Sequence, residues 1–284
     1  MWKAIAWVTI AVVVVGASVV IYGSYRWKNA TKEMHATLEA MRSPLVPKVY
    51  SIDELADLPL PVQRYFKKVL RDGQPIVSAA NIKQEGTFNM GETGDQWSPF
   101  VATQKVVVQR PGFDWEGHIT MMPGLKVWVH DAYIAGEGLM HASVLGLVSV
   151  ANMRDTGEVA KGELMRFLAE APCYPTVLLP SQGIQWEAVD DTSAKATLTE
   201  GEITLTLLFR FSKEDLIESV RAEARGRTVA GEMIPTPWEG YWHSYEMRSG
   251  MLIPTAGEVA WIMPEGVKPY WRGRITDVDF EFAN

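Results

Sequence analysis

The sequence predicts a mainly β fold with a few α-helices: a strongly curved, antiparallel, half-open β-barrel with helices covering its concave face, preceded by an N-terminal transmembrane helix. Three observations carry that prediction. Beyond residue 78, apolar side chains recur with a period of two. Turn signals interrupt the pattern at 91–94, 111–112, 123–124, 136–138, 190–191, 200–201, 249–250 and 264–266. Ahead of both lies an uncharged apolar run, residues 4–22.

That run, AIAWVTIAVVVVGASVVIY, has only Thr9 and Ser18 as polar interruptions. At about 1.5 Å per residue it spans roughly 28 Å of helix, close to the hydrocarbon core of a bilayer. Trp2, Trp7, Tyr22, Tyr25 and Trp27 sit near its ends, where amphipathic rings favour the headgroup boundary. Residues 1–28 are therefore expected to be a single-pass membrane anchor, with the bilayer as partner through residues 4–22. A cleaved signal peptide is the alternative. Val15-Gly16-Ala17 before Ser18 offers a small-residue cleavage site, but the apolar run continues past it. Arg26, Lys28, Lys32 and Arg42 follow the span and only Lys3 precedes it, a bias that favours a cytoplasmic domain.

Residues 29–77 are expected to form a juxtamembrane helical region. In 29–41, Thr31, Met34, Leu38 and Met41 share one side. Pro44 and Pro47 break that helix. A second helical stretch follows within 53–72, with Pro61 in its first turn, Val62, Tyr65, Phe66, Val69 and Leu70 on its apolar face, and Gly73 as its stop.

Residues 78–284 form the expected β domain. The clearest strand is 203–211: Ile203, Leu205, Leu207, Phe209 and Phe211 point one way, and Thr204, Thr206, Leu208 and Arg210 the other. About eleven such strands joined by tight turns imply antiparallel neighbours. An inserted helix, 158–171, carries Val159, Leu164, Phe167 and Leu168 along one side. A long twisted sheet curls and needs its hollow covered; this helix and the apolar loop after it suit that place.

Five basic and two acidic residues lie within the first 42, so the rest carries 22 basic against 32 acidic side chains. A domain with an excess of about ten negative charges is ill suited to nucleic acid, whose phosphates require a basic face. The single cysteine, Cys173, excludes an intrachain disulfide and a cysteine-based metal cluster. None of the five histidines has the spacing of a known zinc site, although His118, His130 and His141 fall on three consecutive expected strands. No G-x-S-x-G elbow, G-x-G-x-x-G turn or phosphate loop is present. No metal, cofactor or catalytic residue is expected from these patterns.

Eight of the eleven tryptophans lie beyond the tether and must fill a core or line a cavity. The densest constellation is near the C-terminus, where three neighbouring strands supply Trp238, Glu239, Glu258, Trp261, Tyr270, Trp271 and Arg272. With Trp115 and Trp128 these are the candidate ligand-binding residues: indoles to hold an apolar molecule, Arg and Glu to fix a polar head. On the last strand Tyr270, Arg272, Arg274, Val278, Phe280 and Phe282 share a parity. An alternative to the pocket is a core of tryptophans with Arg–Glu pairs stitching neighbouring strands.

The segments LPVQRYF (60–66), DGQP (72–75), WSPF (97–100), PTPWEG (235–240) and YWRGRI (270–275) resemble a bacterial family of domains of unassigned function. More remotely, the inferred half-barrel is similar to the lipoprotein-carrier (LolA-like) architecture. That resemblance implies acyl chains held in the concave face and an extracytoplasmic location. The leading expectation is a membrane-tethered domain that binds a lipid or other apolar ligand in the hollow of its sheet. The alternatives are an enzyme using Glu239 or Glu258 beside Arg272 as an acid–base pair, and a non-catalytic partner in a membrane complex.

Overall fold

The computed structural model describes residues 1–91, 94–229 and 231–283. Its strands are β1 (Val77–Asn89), β2 (Trp97–Val107), β3 (Gly112–Met122), β4 (Leu125–Ile134), β5 (Glu137–Val144), β6 (Val148–Asp155), β7 (Gln185–Asp190), β8 (Ser193–Glu200), β9 (Ile203–Phe211), β10 (Ile217–Val229), β11 (Glu232–Arg248), β12 (Met251–Met263) and β13 (Gly266–Phe282). All belong to one antiparallel sheet in the order β6-β5-β4-β3-β2-β1-β13-β12-β11-β10-β9-β8-β7. It does not close, and its curvature makes a half-barrel.

The order resolves into two meanders, β1–β6 and β7–β13, each joined by short turns because antiparallel neighbours need nothing longer. The arms meet at the centre, where β1 pairs with β13. Helix α3 (Glu158–Glu170) connects the outermost strands β6 and β7 by crossing the concave side. Thirteen strands appear where about eleven are read from the sequence. Part of the difference is that the turns at 145–147 and 212–216 are built from residues without a strong turn signature.

Alternation decides the faces. In β9, Leu205, Leu207, Phe209 and Phe211 are buried in the main core. Outward Thr197 and Thr199 meet Thr206 and Thr204 across the β8–β9 pair at 2.8 and 3.0 Å. Helix α2 (Leu60–Val69) starts beside Pro59 and Pro61, whose fixed φ suits a helix start, and buries Val62, Tyr65, Phe66 and Val69. Tyr65 packs on Phe211 with ring centroids 5.8 Å apart. The apolar turns Ala171–Cys173 and Pro175–Leu178 continue from α3 into this core, tied by Trp186 Nε1 to the Leu178 carbonyl at 2.9 Å.

Helix α1 (Trp2–Ala40) is one uninterrupted helix of 39 residues. Its first 22 residues are almost wholly exposed and uncharged apart from Lys3, and that stretch is long and apolar enough to cross a membrane. From Gly23 onward the helix lies along the outer face of β3, β4 and β5. Leu38 packs beside Gly112 and Trp27 packs on His130, while Gly23 abuts the Leu145–Leu147 turn. A Cβ on Gly23 would stand 2.5 Å from the Leu145 carbonyl oxygen, so only glycine lets the helix approach this closely.

Candidate functional site: a cavity under helix α3

Between α3 and the concave face of the sheet lies a cavity of about 380 Å³. Its walls are mostly apolar, with Ile82, Trp115, Ile119, Val129, Trp242 and Trp271 among them. It adjoins a wider mouth of about 670 Å³ bounded by Phe88, Met90, Arg227, Met233, Trp261 and Lys268. Gly240 forms part of the wall, and a Cβ there would meet only the Trp238 ring, at 3.9 Å. The backbone thus leaves this space free.

Two arginines cross the apolar lining, and both are held by charge and by aromatic faces. Arg166 on α3 reaches Asp131 at 2.5 Å and Glu170 at 2.6 Å, with its guanidinium over the Phe113 and Trp115 rings. Gln104 donates to the second Glu170 oxygen at 2.6 Å, and Trp115 Nε1 donates to Gln84 at 2.8 Å. Burial alone would drive the Arg166 proton off, but Glu170 and Asp131 outweigh it and raise its pKa, so the charge persists.

Arg225 on β10 pairs with Glu163 at 3.0 Å, lies over the Trp238 ring at 4.9 Å and contacts the Tyr270 hydroxyl at 3.4 Å. Trp238 Nε1 donates to that hydroxyl at 2.8 Å. Burial, reinforced by the charge of Asp131, pushes the Glu163 carboxyl up to about 8 against the opposing pull of Arg225 and Arg166. The direction of that shift favours the protonated carboxyl of Glu163 beside the Arg225 guanidinium. Glu163 Oε2 and Arg227 Nε are buried without a hydrogen-bond partner among the described residues. Both residues line the mouth.

The residues singled out from the sequence divide between the two faces. Trp115, Trp238, Tyr270 and Trp271 line the cavity, and Trp261 lines the mouth, stacked on Tyr270 at 5.7 Å. Four candidates lie elsewhere. Trp128 is on the outer face between Trp27 and His118. Glu239 is also outward, buried against Arg210 at 2.8 Å and Arg221 at 3.6 Å. Glu258 pairs with Arg272, whose guanidinium covers the Trp97 ring at 4.3 Å on the same outer surface. The acid–base pair read from Glu239 or Glu258 beside Arg272 is therefore corrected: these carboxylates are ion-paired on the face opposite the cavity, Glu239 through both oxygens and Glu258 through one.

Register explains the correction. Ala260 pairs with Pro269 and Val259 with Trp271, which leaves Tyr270 as an extra residue in β13. A second irregularity follows where Lys83 pairs with Asp277 and Gln84 with Ile275. Each bulge reverses the alternation. Tyr270 and Trp271 both reach the cavity, whereas Arg272 and Arg274 turn outward to Glu258 and Glu85. The shared parity of Tyr270, Arg272 and Phe280 does not survive.

The polar cavity residues Asp131, Glu163, Arg166, Glu170 and Arg225 escape the sequence reading. A signal exists for three of them. Glu163, Arg166 and Glu170 are spaced by three and four along a helix that is otherwise buried, so one stripe of charge faces inward. The histidines have a different use. His130 Nδ1 meets the buried Asp114 at 2.8 Å, His35 Nε2 on α1 meets its other oxygen at 3.0 Å, and Thr31 meets His130 Nε2 at 3.1 Å. Among the described residues no group of three or more His, Cys, Asp or Glu side chains is placed to hold a metal ion.

Fold and cavity together define a half-barrel with an N-terminal apolar helix and an apolar hollow under α3. The chain belongs to a family of unknown function (DUF6920), whose model matches residues 56–280. No curated protein matches it. Its fold is similar to a putative outer membrane lipoprotein-sorting protein domain from Vibrio parahaemolyticus, at 10% identity over 72% of this chain and 86% of that one, with a TM-score of 0.38. It is also similar to a DUF1329 family protein from Desulfovibrio piger, at 11% identity over 72% and 86% of the two chains, with a TM-score of 0.40. A LolA superfamily protein from Nitrosomonas europaea matches at 8% identity over 78% and 92%, with a TM-score of 0.30.

Proposed function

We propose that this protein is a single-pass, membrane-tethered domain that binds a lipid or another elongated apolar molecule beneath α3. The observation that carries the reading is the 380 Å³ cavity, whose volume and mostly apolar walls match those of small-molecule sites. An acyl chain placed there gains about 0.8 kcal/mol per buried methylene. The polar end of the same molecule would lie towards the mouth, where Glu163 Oε2 and Arg227 Nε have no partner among the described residues. Helix α1 supplies the tether and the inner membrane the expected location. The carrier-like resemblance implies an extracytoplasmic domain and the basic residues after the span a cytoplasmic one; a reporter fused to the C-terminus, active on one side only, decides between them.

The test is direct. The full chain, purified in mild detergent, is extracted with organic solvent and analysed by mass spectrometry, and the emptied protein is titrated with a fluorescent fatty acid. A near-stoichiometric apolar molecule and saturable probe binding are expected, with affinity at least tenfold lower in Gly240→Leu. Absence of both an extracted molecule and saturable binding sinks the proposal.

A further inference from the structure

The arm β1–β6 has two unlike ends. At one end, the β2–β3 and β4–β5 turns and the last residues of β6 carry Arg110, Glu137, Arg154 and Asp155. Arg110 pairs with Glu200 at 2.9 Å and Arg154 pairs with Glu137. At the other end Asp95 and Gln96 mark the β1–β2 turn, whereas the β3–β4 and β5–β6 turns are flanked by apolar side chains. Met121 and Met122 end β3, and Val148 and Val150 follow the Leu145–Leu147 turn on the edge strand β6. Met122, Val148 and Val150 are 58%, 63% and 58% exposed. A cluster of apolar side chains left in water at adjacent turns marks a contact surface.

Two relationships identify what it contacts. First, Gly23 touches the Leu145–Leu147 turn, and the exposed apolar stretch of α1 begins at the residue before it. The helix therefore leaves the sheet at this rim, so the bilayer it enters begins at the level of Val148 and Met122. Second, the cavity reaches the same rim: Met90, Ile119, Val127, Ala142 and Val150, each within a few positions of a rim turn, are part of its lining. The exposed valine of the edge strand is both cavity wall and outer surface.

We infer that the rim formed by Met121, Met122, Val148 and Val150 sits in the headgroup layer of the membrane that α1 spans, so that the cavity exchanges its apolar ligand with that leaflet rather than with water. The inference rests on the tethered-binder reading and specifies its source of ligand. Docking needs no partner protein. The single helix fixes the height of the rim, and the close Gly23 contact fixes its orientation.

The native chain suits the experiment, because its one cysteine, Cys173, is buried and burial holds its thiol well above the ordinary value. Met122→Cys, Val148→Cys and, as a remote control, Lys213→Cys on the β9–β10 turn are labelled with an environment-sensitive fluorophore. Each full-length variant is reconstituted into phosphatidylethanolamine–phosphatidylglycerol vesicles carrying a nitroxide lipid labelled near its headgroup. The inference expects blue-shifted emission and at least threefold stronger quenching at residues 122 and 148 than at 213. Equal, water-like emission at all three positions in chains that float with the vesicles overturns it and leaves ligand binding standing. Chains that fail to float overturn the anchor and this inference together. Rim quenching with neither an extracted apolar molecule nor saturable fatty-acid binding keeps the membrane contact and removes the binder reading. A Met122→Glu, Val148→Glu double variant, which alters only exposed side chains, should still float while taking up a fluorescent fatty acid from vesicles at least tenfold more slowly. Unchanged uptake overturns the exchange route.

Discussion

His130 and Asp114 lie 2.8 Å apart on neighbouring strands, both fully buried, on the face of the sheet opposite the cavity. The remaining Asp114 oxygen is taken by His35 from α1, so a carboxylate with almost no exposure joins α1 to the sheet. Burial raises the Asp114 pKa, but the two histidine hydrogen bonds and their charges outweigh it and the net shift is downward. A carboxyl depressed in the folded state stabilises above its unfolded pKa and loses that contribution as pH falls through the folded value. The docked half of α1 should therefore loosen in acid below about pH 4. Asp114→Asn should lower stability by about 3 kcal/mol at neutral pH and flatten this acid limb, as read by urea melts across pH. An unchanged acid limb in the variant removes Asp114 from the account.

Trp27 is the aromatic counterpart of that joint. It stacks on His130 with centroids 4.4 Å apart, meets Trp128 edge-on at 5.8 Å and donates to Glu116 at 2.8 Å. Replacing a buried indole by alanine should cost about 3–5 kcal/mol, most of it in α1 docking rather than in the barrel. Hydrogen exchange of the full chain should show faster exchange in residues 24–40 of Trp27→Ala while β7–β13 keep their protection. Uniform acceleration across both arms contradicts a local role.

Glu163 gives the opposite pH dependence. Its folded pKa of about 8 stands above the ordinary 4.5 because of burial, with Asp131 adding to it. The folded state then holds more protons than the unfolded one between those values, so stability is greatest at low pH and falls as pH rises through about 8. Glu163→Gln should remove much of that decline between pH 5 and pH 8, a change on the order of 1 kcal/mol or more. Parallel pH profiles for the variant and the native protein would show that the carboxyl is ionised in the fold.

Gly240→Leu separates binding from folding. The substitution projects into open cavity rather than into backbone, so its melting temperature should stay within a few degrees while fatty-acid affinity falls at least tenfold. A matched fall in both would identify Gly240 as a backbone requirement instead.

The architecture is readable from local pattern because it is built from local pattern. Period-two stretches such as β9, tight turns and one apolar helix in mid-sequence suffice to specify an open antiparallel sheet with its hollow covered. What alternation cannot supply is the phase of a strand after a bulge. Tyr270 is one residue too many for its partner, and the residues between it and the second irregularity in β13 change side. Arg272 thereby leaves the cavity and Trp271 enters it. The abundance of indoles is likewise plain, but Trp128 turns outward because α1 returns to cover that face, a tertiary event with no trace in the strand itself. Buried charge is the hardest part to foresee: Arg225 and Arg166 look like surface residues until Glu163, Asp131 and Glu170 are found beside them.

The pairing of β1 with β13 has a consequence for biosynthesis. Each arm can assemble from neighbours in the chain, yet the seam between them joins the first strand made to the last. A nascent polypeptide emerging from the ribosome therefore presents β1 and then β12 as bare edges until β13 arrives, and the vessel has no bottom before translation of that strand is complete. Chaperone protection should be needed most in that interval.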